Sequence, residues 1–223
     1  MNPPLLLTEE LVLLSLDHVT GSHLPLMPEA LAFGLAGAVL ADLEMAGRIQ
    51  TKDGKVELCK NELVGDSLLD PQLARIVEDR SSHAIAYWLS VFSDRKEEIE
   101  QSALERLISR GILRREEKKI LWVFGVRRYP TVHNEERVEV RQRLVGLIAG
   151  EGVPAHFDAT LISLLSACGL LTSIFASEEL SGRSERIAAI AASDPIGREV
   201  AAVLRELIEA IVLAQSTSAS TPF

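Results

Sequence analysis

Five histidines and two cysteines are the side chains of this chain that could ligate a transition metal or form a nucleophile with its base. A zinc site places such ligands at short spacings, often four residues apart on a helix. His18, His23, His83, His133 and His156 form no such pair, so they are expected on loops and at the surface. Asp66 and Asp70 are four apart and could act as acid and base, yet each also stands where a turn or helix cap is wanted. The chain has no G-x-S-x-G, no phosphate-binding P-loop and no G-x-G-x-x-G. Cys168 sits in an apolar run without a local base to activate it. No cofactor is expected, and no metal. The remaining chemistry is docking. Arg114, Arg115, Lys118, Lys119, Arg127 and Arg128 surround Trp122 and Phe124, a combination that can bind phosphates while apolar groups enter an interface. The same side chains could instead pack on the core or on a second copy.

The elements that must carry these residues follow from periodicity and punctuation. From Leu104 a charged helix runs to Gly111, which supplies a left-handed stop. Ile112–Leu113 and Ile120–Val126 then form two apolar runs around a charged turn, Arg114 to Lys119. Leu121, Trp122 and Phe124 are expected in one strand, with Arg127 and Arg128 on the return side. Trp122 and Phe124 share a face because strand side chains alternate. Leu40 to Cys59 repeats this grammar, with Gly47 ending a helix and Asp53-Gly54 turning a hairpin.

Elsewhere the pattern is helical. Thr8 is expected to cap a first helix reaching Leu16, and a second runs from Pro28 to Ala46 with Gly34 and Gly37 admitting a close neighbour. Asp70-Pro71 opens another helix, and Asp94 to Arg110 carries Ile99, Ala103 and Leu107 on one face. Helices are also expected over Glu135–Ile148, Phe157–Ala176 and Gly182–Ala192. Ser193-Asp194-Pro195 caps a last one to Ala214. The expected fold is mainly α, a single-domain helical bundle around a buried central helix with two short β-hairpins. That domain spans 1–214, and 215–223 is expected to be a disordered tail.

Composition narrows the function classes. The 223 residues carry a net charge of −9, which opposes nonspecific attraction to nucleic acid or anionic membrane. The charge is uneven: Arg95 to Arg143 holds 13 basic and 9 acidic residues, a local +4. Cys59 and Cys168 lie in apolar contexts, where buried free thiols in a reducing compartment are expected. The opening residues MNPPLLLTEE lack a basic region and do not read as a secretory signal. Ala159 to Ser177 is 19 residues long without a charge, long enough to cross a bilayer. Its six hydroxyls, with no basic or aromatic flanks, favour a core helix instead.

Four segments together resemble the Golgi phosphoprotein 3-like family of peripheral membrane proteins. They are LLLTEELVLLSLD from Leu5, GLAGAVLADLEMAGRI from Gly34, GDSLLDPQL from Gly65, and Leu104 to Pro130. The match keeps its order across most of positions 5 to 212. The resemblance implies a mostly helical domain whose eukaryotic members bind phosphatidylinositol 4-phosphate on Golgi membranes and retain glycosyltransferases by their cytosolic tails. It also implies a headgroup site of a Trp and an Arg around the second helix, with two basic residues three apart on the helix before the hairpin. The corresponding residues here are Met27, Ala36, Glu97 and Glu100. None matches, and two carboxylates would repel a phosphate.

The expectation is therefore a non-enzymatic, cytoplasmic adaptor, associated peripherally with an anionic phospholipid surface, with membrane-protein tails as further partners. A homo-oligomer through the hairpin is the other use of that element. A winged-helix nucleic-acid binder shares the helix-then-hairpin outline. The acidic total and Glu97, Glu98, Glu100 and Glu105 on the preceding helix make nucleic acid the poorer partner.

Overall fold

The computed structural model describes residues 4–79, 81–120 and 124–218. The chain runs α1 (Leu7–Ser15), α2 (Pro28–Met45), β1 (Ile49–Lys52), β2 (Lys55–Leu58), α3 (Asp70–Asp79), β3 (His83–Ala84), α4 (Ile85–Ser93) and α5 (Lys96–Ser109). It continues through β4 (Glu116–Ile120), β5 (Phe124–Arg128), α6 (Glu135–Ala149) and α7 (His156–Ala167). Last come α8 (Leu171–Ile174), α9 (Ser177–Leu180), α10 (Ser184–Ser193) and α11 (Pro195–Ser218). The fold is a mainly α bundle with two small antiparallel sheets among the described residues.

The bundle forms around α2, which packs on α1, α4, α5, α7 and α11. Residues Gly34 to Leu43 of α2 are buried without interruption, which a helix surrounded on all sides requires. Close packing depends on its glycines. A Cβ added at Gly34 would lie 2.6 Å from Cys168 Sγ, and one at Gly37 would lie 2.9 Å from Leu164 Cδ2. Leu35, Val39 and Leu43 are fully buried, each contributing about 1.5–3 kcal/mol of burial.

The uncharged run Ala159–Ser177 is buried as expected in its first half, Ala159 to Leu165. It is not one helix, however. Gly169 takes φ +71° and breaks it, so α7 ends at Ala167 and α8 begins at Leu171. Among the described residues no helix is long and apolar enough to cross a membrane.

Three other expectations change. Thr8 lies inside α1 rather than capping it, because the Asp42 carboxylate accepts from Leu7 N–H at 2.8 Å, Thr8 N–H at 3.0 Å and the Thr8 hydroxyl at 2.6 Å. Cys59 is exposed, since β2 stops at Leu58 on the outer side of the sheet, whereas Cys168 is buried and its thiol is pushed up to about 12 by that burial. The α11 backbone continues to Ser218, past Ala214, and residues 219–223 lie outside the described residues. The first hairpin is as expected. Asp53 (φ 50°) and Gly54 (φ 73°) form its two-residue turn, with Lys52 opposite Lys55. A third strand, β3, adds to β2.

Candidate membrane-contact site

The second hairpin begins where α5 ends. Gly111 adopts φ +74°, and Ile112 and Leu113 turn into the core at 2% exposure each. The base is then closed across the chain: Arg114 N–H donates to Pro130 O at 3.0 Å, and Val132 N–H to Ile112 O at 2.9 Å. The loop after α1 holds this base from below. Tyr129 N–H donates to Gly21 O at 2.9 Å, and the Thr131 hydroxyl to His18 O at 3.0 Å. Gly21 must lack a side chain, because a Cβ there would lie 2.2 Å from Pro130 N.

Beyond this base, β4 and β5 pair with each other in a register that corrects the sequence reading. The charged residues Glu116 to Lys119 are strand rather than turn. Glu116 stands opposite Arg128, Glu117 opposite Arg127, Lys118 opposite Val126, Lys119 opposite Gly125, and Ile120 opposite Phe124. Phe124 therefore shares a strand with Arg127 and Arg128 instead of facing them across the turn. Trp122 lies outside the described residues, as does Leu121. Cross-strand backbone pairing does not require apolar alternation, so a charged run can form a strand there.

The predicted cations are brought to one arm, but carboxylates accompany them. Arg114 Nε lies 2.9 Å from Glu116 Oε1, and Arg115 Nη2 lies 3.6 Å from Glu105 Oε1 on α5. Arg127 is exposed. Arg128 is half-buried, and its Nε has no hydrogen-bond partner among the described residues. Further down α5, Arg106 and Arg110 point into the body. Arg106 pairs with Glu9 at 3.1 Å and Asp66 at 2.6 Å, and Arg110 lies 3.6 Å from Glu9. Burial works against the Arg106 charge, but Glu9 and Asp66 outweigh it and raise its pKa above the ordinary arginine value.

The positions that correspond to the family headgroup site hold other chemistry. Met27 precedes α2 as its N-cap residue, and Ala36 is wholly buried within α2. Glu97 is exposed on α5. Glu100 is buried to 8% exposure, 2.8 Å from His23 Nε2 and 3.0 Å from Lys96 Nζ. Burial raises its pKa, but the contacts of His23 and Lys96 outweigh that and hold it below the ordinary value.

Asp66 and Asp70 are structural, as their turn positions suggest. Asp70 accepts from Val64, Gly65 and Asp66 N–H, and Asp66 accepts from Leu68 and Leu69 N–H. A second charged region was not anticipated. Glu10 lies 2.6 Å from Arg143, which also holds Asp158 at 2.7 Å. These residues line a groove of about 520 Å³ with Asp42, Phe157 and Met45. Burial pushes Glu10 up to about 7, outweighing the attraction of Arg143, and pushes Asp42 up to about 6. No Ser, Cys or His lines this groove, and Arg143 stands between the two carboxylates, so it reads as a charge-compensated wall. The sequence signal was an aspartate inside the otherwise apolar stretch of α2. Among the described residues no cluster of His, Cys, Asp and Glu could hold a metal ion.

Comparison with known proteins agrees with the bundle. The chain is similar to vacuolar protein sorting-associated protein 74 of Eremothecium gossypii, 22% identical over 176 residues. That span is 70% of this chain and 52% of the relative, so the chain matches about half the length of that curated protein. The family model described as Golgi phosphoprotein 3 (GPP34) matches residues 7–210, and the chain belongs to that family.

Proposed function

We propose that this protein is a peripheral membrane adaptor that docks on anionic lipid through the β4–β5 arm and acts by equilibrium binding without a covalent step. Family membership supports the adaptor class, and membrane-protein tails are its proposed second partner. The observation that carries the lipid contact is the arm itself. Six Lys or Arg against two Glu, from Arg114 to Arg128, give +4 on a ribbon rooted to the body at its base, in a chain of net −9. A cationic side chain near an anionic surface contributes about 1 kcal/mol, and surface contacts are screened over about 8 Å at physiological ionic strength. Glu116 and Glu117, opposite Arg128 and Arg127, moderate that attraction. Phosphate recognition here is by charge. Little preference for phosphatidylinositol 4-phosphate over other lipids of equal charge is expected, because Met27, Ala36, Glu97 and Glu100 offer it no cation.

The test is co-sedimentation with vesicles of neutral, generic anionic and phosphoinositide composition. Binding to both anionic sets, weakened by salt and by Arg127→Glu with Arg128→Glu, is the expected result. Reversing both charges costs roughly 4 kcal/mol at most. Trp122→Ala is expected to weaken binding without changing its salt dependence, through lost apolar burial. Unchanged binding in the Arg127/Arg128 variant, or a duplex DNA shift at the same salt in place of vesicle binding, would overturn the reading.

A further inference from the structure

The cations of the arm are not spread evenly along it. Arg127 and Arg128 stand opposite Glu117 and Glu116 at the end nearest the body, whereas Ile120 and Phe124 form the last described pair at the other end. At about 3.3 Å per residue, Arg127 lies about 10 Å and Arg128 about 13 Å from Phe124 along β5. Charges at physiological ionic strength are screened over about 8 Å. An arm that met a membrane end-on would hold both arginines outside that range, and one that lies along the surface brings them to it. The two strands differ as well. β4 carries Glu116 and Glu117 among its cations, and Arg114 and Arg115 before it are paired with Glu116 and Glu105. β5 carries no acid, and among the described residues Arg127 and Arg128 form no ion pair within the chain.

The β5 edge is fastened to the loop after α1. Gly21 O accepts from Tyr129 N–H, one residue beyond Arg128, and His18 O accepts from the Thr131 hydroxyl. The turn between these contacts is closed on itself. Gly21 N–H donates to Asp17 O at 2.7 Å, and Thr20 N–H to the Asp17 carboxylate, the one acid of the turn, at 2.7 Å. Val19, inside this turn, is 71% exposed. Val132, next to Thr131, is 42% exposed.

We propose that the arm docks side-on, along its β5 edge, and that the Asp17–Gly21 turn enters the lipid interface beside it with Val19 as an apolar anchor. This rests on the lipid contact proposed above and gives it an orientation and a second contact element. An anionic lipid surface fits the pairing of groups: guanidinium groups meet phosphates while small apolar side chains, Val19 and Val132, pass between headgroups. Hydrogen bonds to Tyr129 and Thr131 fix the turn to the root of the arm, so the two meet the surface together.

The test is an environment-sensitive nitrobenzoxadiazole label on Val19→Cys in a Cys59→Ser background, where the buried Cys168 is out of reach of the reagent. The control carries the label on Val153→Cys, 92% exposed beyond the far end of α6, a helix of 15 residues and about 22 Å. On anionic vesicles the label at position 19 should brighten and shift to the blue, and the label at 153 should not. Val19→Ser should weaken co-sedimentation about threefold with its salt dependence unchanged, and Val19→Trp should strengthen it. Protein that sediments with the vesicles while the label at 19 stays in water overturns the orientation and leaves the lipid contact standing. No sedimentation with anionic vesicles overturns the lipid contact and this orientation with it.

Discussion

The rim around α1 and the β4–β5 arm are built from the same residue types, arginine against glutamate, yet they commit those charges differently. At the rim, Glu9, Glu10 and Asp42 are exposed by 0%, 4% and 3%, and Arg106 and Arg143 each bridge two acids. In the arm, the side chains of the Arg114–Glu116 pair are 59% and 35% exposed. Water screens such a pair almost fully, whereas low-dielectric surroundings make the rim pairs strong and the loss of one partner costly. The rim charges are thus consumed in holding the fold, whereas the exposed Arg114–Glu116 pair adds little to it.

Substitutions can break this contrast. Asp42→Ala should have the largest effect, about 3 kcal/mol, because it removes the acceptor of two α1 N–H groups and leaves buried donors unpaired. Urea unfolding should show a lower midpoint at constant slope. Arg106→Ala should cost about 2 kcal/mol by the same measurement, since the buried Glu9 carboxylate keeps the Leu6 N–H but, of its cations, only the more distant Arg110.

Glu10→Gln sharpens the contrast through pH. Glu10 titrates near 7 when folded against an ordinary 4.5, so between those values the folded protein holds a proton that the unfolded chain has released. Its stabilising contribution is complete below about pH 4.5 and is lost as pH rises to about 7. The stability of the variant relative to wild type should therefore climb by about 3 kcal/mol across that window and level off above it. A flat difference would show that Glu10 is ionised throughout. At the other extreme, Arg114→Ala should change stability by less than about 0.5 kcal/mol. A loss of rim size there would mean that the arm is clamped to the body and unavailable for docking.

Local signals made much of the fold legible. Pro28 opened α2, Asp53-Gly54 turned the first hairpin, Gly111 stopped the segment after α5, and Pro195 opened α11, all through backbone preferences that neighbours do not override. The failures were tertiary. Thr8 had the right chemistry for a cap, but Asp42, 34 residues away, occupies that role. Glu116 to Lys119 lacked strand alternation, yet they pair in register with β5. Cys59 follows an apolar residue yet ends on the outside, which depends on where the sheet edge falls. The cations of the arm were legible as a group from charge alone. Their carboxylate partners depend on strand register, which a misplaced turn shifts.

The capping of α1 has a consequence for how the chain is made. A nine-residue helix is marginal by itself in water. During synthesis the α1 segment leaves the ribosome before Asp42, the residue whose carboxylate closes its N-terminus. The helix therefore lacks its cap when it emerges. It gains that cap only once the helix that encloses it has been translated, so that an earlier segment is fixed with help from a later one.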